Sequence, residues 1–321
     1  MALCVLCGLL VFASCEKKHL PQVVLYTSVD EPIARPIIRE FEKRTGIRVT
    51  LVTDSEASKT VGLAERVRAE RANPQADVYW GNEPFHTIAL AEEGLLEPHE
   101  GPGWSGIPDR YKDPQKRWAG TALRARVLAV HGDERLDSIS DLARAEFKGR
   151  VAMARPTAGT TGGHVAALYV LWGEAKWEAY FRSLRANELK LLGGNAVVAE
   201  MVGQGRMIAG ITDNDDCAAT LREGGSLNVV LPDQGSVGTL MIPTTVGLVG
   251  SDPKHLRAAG ELIDYLLSPE VERKLIEVKF AGWSVRGTSD VKAMDVDYRE
   301  VARVMPQAVR RATAILEGRD E

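Results

Sequence analysis

Between residues 22 and 80 the chain repeats one grammar: a short β-rich run, a polar loop, then an amphipathic helical stretch. Val23-Val24-Leu25-Tyr26-Thr27 reads as a strand, and Ile37, Ile38 and Phe41 share one face of the helix that follows. Thr45-Gly46 closes that helix with a glycine at C′, where a left-handed conformation is needed. Ile47 to Val52 is the next strand, residues 58–72 carry aliphatics at helical spacing, and Ala76-Asp77-Val78-Tyr79-Trp80 is a third strand. Strands alternating with helices pack as an open α/β sheet. Ligands of such sheets bind in loops beyond the carboxyl ends of the strands. The loops at 28–32, 54–58 and 81–84 are therefore candidate ligand loops.

The pattern resumes after a Gly-, Pro- and Trp-rich stretch, residues 100–118, which reads as a long loop. Leu123 to Val130 is strand-like and placed to cross between two units. The second unit opens with a helix near 138–146, a strand at Arg150–Ala154 and a glycine- and threonine-rich turn at 155–163. Two helices cover 164–186, another covers 196–203, and strand Met207–Ile211 runs into an acidic loop at 212–216. A strand follows at 229–231, and Gly238 to Val249 is long enough to cross back. Helices at 253–267 and 269–279 and a charged helical tail complete the chain. Two α/β lobes joined by crossover strands are the expected organisation.

Composition fits a folded body. With 45% apolar residues, 26% charged residues and a net charge of −4, the chain falls in neither the disordered nor the membrane class. The length suggests two domains. Mild acidity without a basic stripe argues against nucleic acid as a partner. The exception is the N-terminus, where an apolar run ends in Phe12-Ala13-Ser14-Cys15 before Glu16-Lys17-Lys18. This resembles the lipobox of bacterial lipoprotein signal peptides and implies a leader at 1–15, lipidation at Cys15 and a body tethered to the membrane in the periplasm or at the cell surface. The run has the length of a signal h-region rather than of a bilayer span. Cys217 is then the one cysteine left beyond Cys15, so no internal disulfide is expected in the body.

Leu25-Tyr-Thr-Ser-Val-Asp30, Phe41-Glu-Lys-Arg-Thr-Gly-Ile-Arg-Val49 and Ala76-Asp-Val-Tyr-Trp-Gly-Asn-Glu83 together resemble the periplasmic iron(III)-binding proteins of ABC importers. Arg124-Ala-Arg126-Val-Leu, Phe147-Lys-Gly-Arg-Val-Ala152, Arg155-Pro-Thr-Ala-Gly-Thr-Thr161 and Leu266-Leu-Ser-Pro-Glu270 extend the resemblance over about residues 22–286. It implies an α/β, two-lobe, type 2 periplasmic-binding-protein fold, with two open mixed sheets flanked by helices and joined by crossover strands. Lobe 1 would comprise 22–125 plus 238–285, lobe 2 would comprise 126–237, and 286–321 would form a C-terminal helical tail. The chain would act as a monomer that captures a metal ion, as the iron(III)-binding family does, or a small anionic solute between its lobes and delivers it to a permease and its ATPase.

Carried onto this sequence, the family's iron ligands fall on carboxylates. The histidine position falls on Asp30, the glutamate position on Asn82-Glu83 and the tyrosine pair on Asp215-Asp216. Losing both phenolates points away from ferric ion. Asp30, Glu83, Asp215 and Asp216 would suit a hard divalent ion or an organic ammonium group. Like charges on an empty cleft repel one another, which favours a positively charged ligand group. One of Asp213, Asp215 and Asp216 can instead cap the helix after them, since an N-cap needs only one side chain. The turn before residue 164 offers Thr160 and Thr161 to an anion, where the family holds phosphate or carbonate, or else Thr161 is an N-cap. Asn195 suits that anion site, whereas an ionised Asp213 does not.

Smaller elements complete the candidate set. Ser28 belongs to the first loop, and Glu56 and Ser58 lie on the ligand side of lobe 1, with Ser58 also placed to cap the helix after it. Arg124 and Arg126 alternate along one strand and so share a face, from which one can balance the carboxylates or meet an anion. Trp80 is placed to stack on a ligand or to sit in the core, and Cys217 reads as a small buried group. His131, His164 and His255 show no metal spacing and read as surface or capping residues. No cofactor is expected, and a metal ion enters only as cargo. The alternative ligands are an aminophosphonate or a sugar phosphate. A metal-dependent phosphoesterase is the competing class, and against it the sequence has no nucleophile or cofactor motif.

Overall fold

The computed structural model describes residues 21–54, 61–157, 159–250 and 253–319. Strand β1 (Gln22–Thr27) leads into α1 (Glu31–Thr45). Gly46 ends the helix at φ 72°, its N–H donating to the Glu42 carbonyl. The chain then returns as β2 (Arg48–Thr53), parallel to β1, with Leu25 beside Leu51. After α2 (Val61–Ala69), β3 (Val78–Gly81) pairs on the other side of β1, and α3 (Pro84–Glu92) covers it.

One strand unites the molecule. β4 (Trp118–Val130) is buried along all thirteen residues. Its residues from Trp118 to Ala125 run antiparallel to β9 (Met241–Leu248), while Arg126 to Val130 run antiparallel to β7 (Ala209–Asp213). The second sheet is completed by β5 (Val151–Ala154), β6 (Lys190–Leu192) and β8 (Asn228–Val230). The strand order is β2-β1-β3-β9-β4-β7-β5-β6, with β8 also on β4. The register of β4 slips between Thr121 and Leu123, and Ala122 takes φ 47° there. The buried Glu272 carboxylate holds this bulge by accepting from the Ala122 N–H at 3.1 Å.

Helices α4 (Thr160–Trp172), α5 (Glu174–Ala186), α6 (Asn195–Gly203) and α7 (Asn214–Arg222) serve the second sheet. α8 (Leu256–Leu266) and α9 (Pro269–Glu277) follow β9. α10 (Tyr298–Glu317) is more than a tail: it packs on α3 from one half and on α4 and α5 from the other. The Tyr298 hydroxyl donates to the Met241 carbonyl at 2.8 Å, and its ring meets Phe85 edge-on. Among the described residues no helix is long and apolar enough to cross a membrane.

Local chemistry explains four departures from the sequence reading. The helix expected near 138–146 is two short 3-10 turns, Ile139–Ala143 and Ala145–Phe147, because Ser138 and Asp141 close a capping box and Arg144 is extended. The loop at 100–118 holds two such turns, and β4 already begins at Trp118. α4 starts at Thr160 rather than at 164, after Gly159 at φ 52°. The acidic stretch at 212–216 is not a loop. β7 runs through Asp213 and α7 starts at Asn214, so Asp215 and Asp216 lie in a first helical turn, where negative charge is favoured.

Candidate ligand-binding cleft

The first-sheet loops are locked to one another by short side chains. Ser28 Oγ accepts from the Asn82 N–H at 2.9 Å and donates to Asn82 Oδ1 at 3.2 Å, and the Ser28 N–H reaches the Trp80 carbonyl. Both residues are buried. Asp30 stands at the N-cap of α1, where its carbonyl accepts from the Ala34 N–H. Glu56 and Ser58 lie outside the described residues.

Glu83, expected among the metal ligands, starts a helix. Its carboxylate accepts from the Phe85 N–H at 2.7 Å, from the His86 N–H at 3.1 Å, and lies 2.9 Å from His86 Nδ1. An N-cap carboxylate satisfies helix donors that have no partner within the helix. The sequence signal is Glu83 directly before Pro84, since proline favours the first helical position.

The second-sheet side is built around Arg124 and Arg126, on one face of β4. Arg126 is fully buried, and its Nη1 donates to Asp213 Oδ1 at 2.8 Å, Thr160 Oγ1 at 3.0 Å and Asn195 Oδ1 at 3.0 Å. The Thr160 hydroxyl in turn donates to Asp213 Oδ2 at 2.6 Å, and the Thr161 hydroxyl to Asn195 Oδ1 at 3.0 Å. Arg124 reaches Asp213 at 3.2 Å and Asp215 at 3.0 Å through Nη1. Its Nη2 donates to the Asn82 carbonyl at 2.6 Å, and Phe280 lies under the guanidinium at 5.1 Å. Arg124 therefore ties the Asn82 loop to the junction of β7 and α7.

Burial pushes the Asp213 carboxyl up, but the Arg126 and Arg124 charges and the Thr160 hydroxyl outweigh it and hold the group below the usual carboxylate range. Burial pulls Arg124 down, and the charges of Asp215, Asp213, Asp216 and Asp30 more than restore it. Asp213, Asp215 and Asp216 each place a carboxylate oxygen within 4.8 Å of the others. Asp216 also accepts from the Thr212 hydroxyl at 3.4 Å. Cys217, next in the chain, is buried and its thiol is pushed up by burial, as befits a packing residue.

The structure thus brings Arg126, Thr160, Thr161, Asn195 and Asp213 into one network, with Asp215 and Asp216 beside it. Ser28 and Asn82 join through Arg124. The cradle expected to take an anion already holds the Asp213 carboxylate, the one residue the sequence reading judged unfit for it. Asp213 stands at the N-cap of α7 but makes no capping bond. Two further placements lie outside the sequence reading, those of His164 and Asn214, while Trp80 takes the core position, one of its two expected places. His164 is buried, and desolvation with the nearby Arg126 charge lowers it to about 3. Asn214 Oδ1 accepts from the Ala125 N–H at 2.7 Å. Trp80 is a fully buried core residue.

With the geometry in view, the relatives are informative. The sequence profile of the bacterial extracellular solute-binding proteins matches residues 22–277. A protein of Salmonella paratyphi A named as a putative 2-aminoethylphosphonate-binding periplasmic protein is 28% identical over 285 residues, which is 87% of this chain and 77% of that one. The ferric binding protein of Campylobacter jejuni superposes with a TM-score of 0.82 at 22% identity, covering 91% of this chain and 99% of that one. A periplasmic binding protein of Actinobacillus pleuropneumoniae with fructose-6-phosphate bound gives 0.75 at 22% identity, covering 92% and 97%. The structural likenesses carry the two-lobe type 2 fold. The chain belongs to the bacterial extracellular solute-binding proteins, and its role is the substrate-binding one of an ABC importer.

Proposed function

We propose that this protein captures a small solute through a positively charged group, an ammonium or guanidinium, held by Asp215 and Asp216 with Asp30 opposite. Its lobes, 22–125 plus 238–285 and 126–237, would close on the solute and present it to the permease and ATPase. A lipid on Cys15 would keep the monomer at the membrane, in the periplasm or at the cell surface. One observation carries the ligand reading: the two arginines of the cleft already face carboxylates of the chain at 2.8–3.2 Å. The half-buried acidic groups Asp30, Asp215 and Asp216 are more accessible to a solute than the buried guanidiniums. The Salmonella relative is named for a molecule with an amino group at one end and a phosphonate at the other, and its amino end is in keeping with this chemistry.

A metal cargo is the second reading, favoured by the close approach of the Asp213, Asp215 and Asp216 carboxylates. Against it, a metal on all three carboxylates would need Asp213, which Arg124 and Arg126 already hold, and would set at least two positive charges, against an ammonium's one, beside Arg124. The test is a thermal-shift screen of the chelator-treated protein with amino acids, polyamines, 2-aminoethylphosphonate, sugar phosphates, ferric citrate, Mn²⁺ and Ca²⁺. A ligand at about 100 times its Kd adds about 2.7 kcal/mol of stability. Stabilisation by an amine-bearing solute is the expected result. A response to metal or sugar phosphate with none to amines would overturn it.

A further inference from the structure

We infer that Asp213 is a tethered anion: its carboxylate fills a pocket built to hold an oxyanion, and so makes this cleft refuse free phosphate, sulfate and carboxylates. Four donors converge on that carboxylate. They are Arg126 Nη1 at 2.8 Å, the Thr160 hydroxyl at 2.6 Å, Arg124 Nη1 at 3.2 Å and Asn195 Nδ2 at 3.4 Å. Asp213, Thr160 and both arginines are buried, so water does not compete for these bonds.

The donors belong to the pocket rather than to Asp213's own helix. An aspartate at an N-cap ordinarily accepts from the second or third N–H of the helix it precedes. Asp213 forgoes that bond at the start of α7 and turns to residues of β4, α4 and α6 instead. Among the described residues, the buried Nε groups of Arg124 and Arg126 find no acceptor, so the two guanidiniums are not fully satisfied. A buried guanidinium that loses its counter-ion is strongly destabilising, so an empty pocket would draw in whatever oxyanion fits. With Asp213 in place, a free oxyanion meets a filled site and a like charge. Asp213 is thus a specificity-determining residue: it directs the cleft away from anionic solutes and leaves Asp215 and Asp216 to meet a cation. That consequence for transport rests on the solute reading above. The stability readout below does not.

The experiment compares wild type with Asp213→Ala in phosphate, sulfate or acetate against NaCl at matched ionic strength, read by thermal shift and calorimetry. D213A should melt lower than wild type and regain much of the loss with oxyanion, in a saturable manner. Two charge-assisted hydrogen bonds correspond to about a 100-fold gain in phosphate affinity over wild type. Adding Arg126→Met should abolish the rescue. Asp213→Asn, whose amide still fills the pocket, should gain little. If D213A does not accumulate folded, refolding from urea carries the same test: recovery only with oxyanion supports the inference, and recovery in neither condition overturns it. Wild type binding phosphate as tightly as D213A, or a folded D213A indifferent to every oxyanion, also overturns it. These results are distinct from a failure to find an amine ligand, since no cationic solute is present.

Discussion

The ring of Phe85, at the start of α3, lies so close to Gly163 in α4 that a Cβ on the glycine would fall inside the ring's van der Waals envelope. Phe85 follows Glu83, and Gly163 follows Thr160 and Thr161, so this contact joins a first-sheet helix start to a second-sheet one. Tyr298 of α10 braces the same ring.

Gly163→Ala should therefore lower stability by about 1–3 kcal/mol, the usual effect of overpacking a tight contact. Phe85→Leu in the same chain should recover part of that loss. Urea unfolding of the two single variants and the double variant measures the coupling, and strictly additive effects would show that the contact is not tight.

Asp215→Ala with Asp216→Ala should weaken solute binding by about 100-fold, the equivalent of two charge-assisted hydrogen bonds. The circular dichroism of the variant should match wild type, because Arg124 keeps Asp213 and the Asn82 carbonyl as partners. Calorimetry with the solute found in the screen decides this, and an unchanged affinity would remove both residues from the site.

Arg124→Met should cost about 1–3 kcal/mol, because it unpairs the half-buried Asp215 and the Asn82 carbonyl while Asp213 keeps Arg126. Arg124→Lys keeps the charge but cannot span Asp213, Asp215 and the Asn82 carbonyl together, so it should fall between wild type and Met. Equal denaturation midpoints for wild type and Met would mean that the arginine bridge contributes no stability.

His164 supplies a pH dependence. Its folded-state value is lowered from an ordinary 6.5 to about 3 by burial and by Arg126. The unfolded chain therefore binds a proton between those values and the folded chain does not. Stability from the neutral histidine is full above about pH 6.5 and falls by at most about 1.4 kcal/mol per pH unit as the pH drops toward 3. His164→Gln should flatten the stability profile across pH 4–6.5. A variant profile parallel to that of wild type would place the dependence elsewhere.

How far the sequence could be read depended on the kind of signal. Gly46 after an amphipathic run marked the end of α1 because that signal is local. The 138–146 segment misled because Ser138 and Asp141 satisfied the chain's donors within a single turn, too short to nucleate an α-helix. At the cleft, Arg124 and Arg126 were visible as residues sharing a face, but which carboxylate each would meet was not. Asp213 and Glu83 show why. Both are acidic residues at N-caps, yet Glu83 caps its own helix while Asp213 turns to a pocket from three other elements.

Residue order alone determined the alternation of strands and helices, the α/β class, the resemblance to solute-binding proteins and the set of polar residues from which a cleft could be made. These follow from hydrophobic period, turn chemistry and capping, which act within a few residues. Only the tertiary structure decided that β4 would carry both sheets, that α10 would pack across both halves, and that Asp213 would take Arg126, Thr160 and Asn195 as its partners. The bonds of Asp213 to Arg126, Thr160 and Asn195 alone join residues 18 to 87 positions apart in the chain, and they depend on burial, which turns a choice between two polar partners into a large difference in free energy.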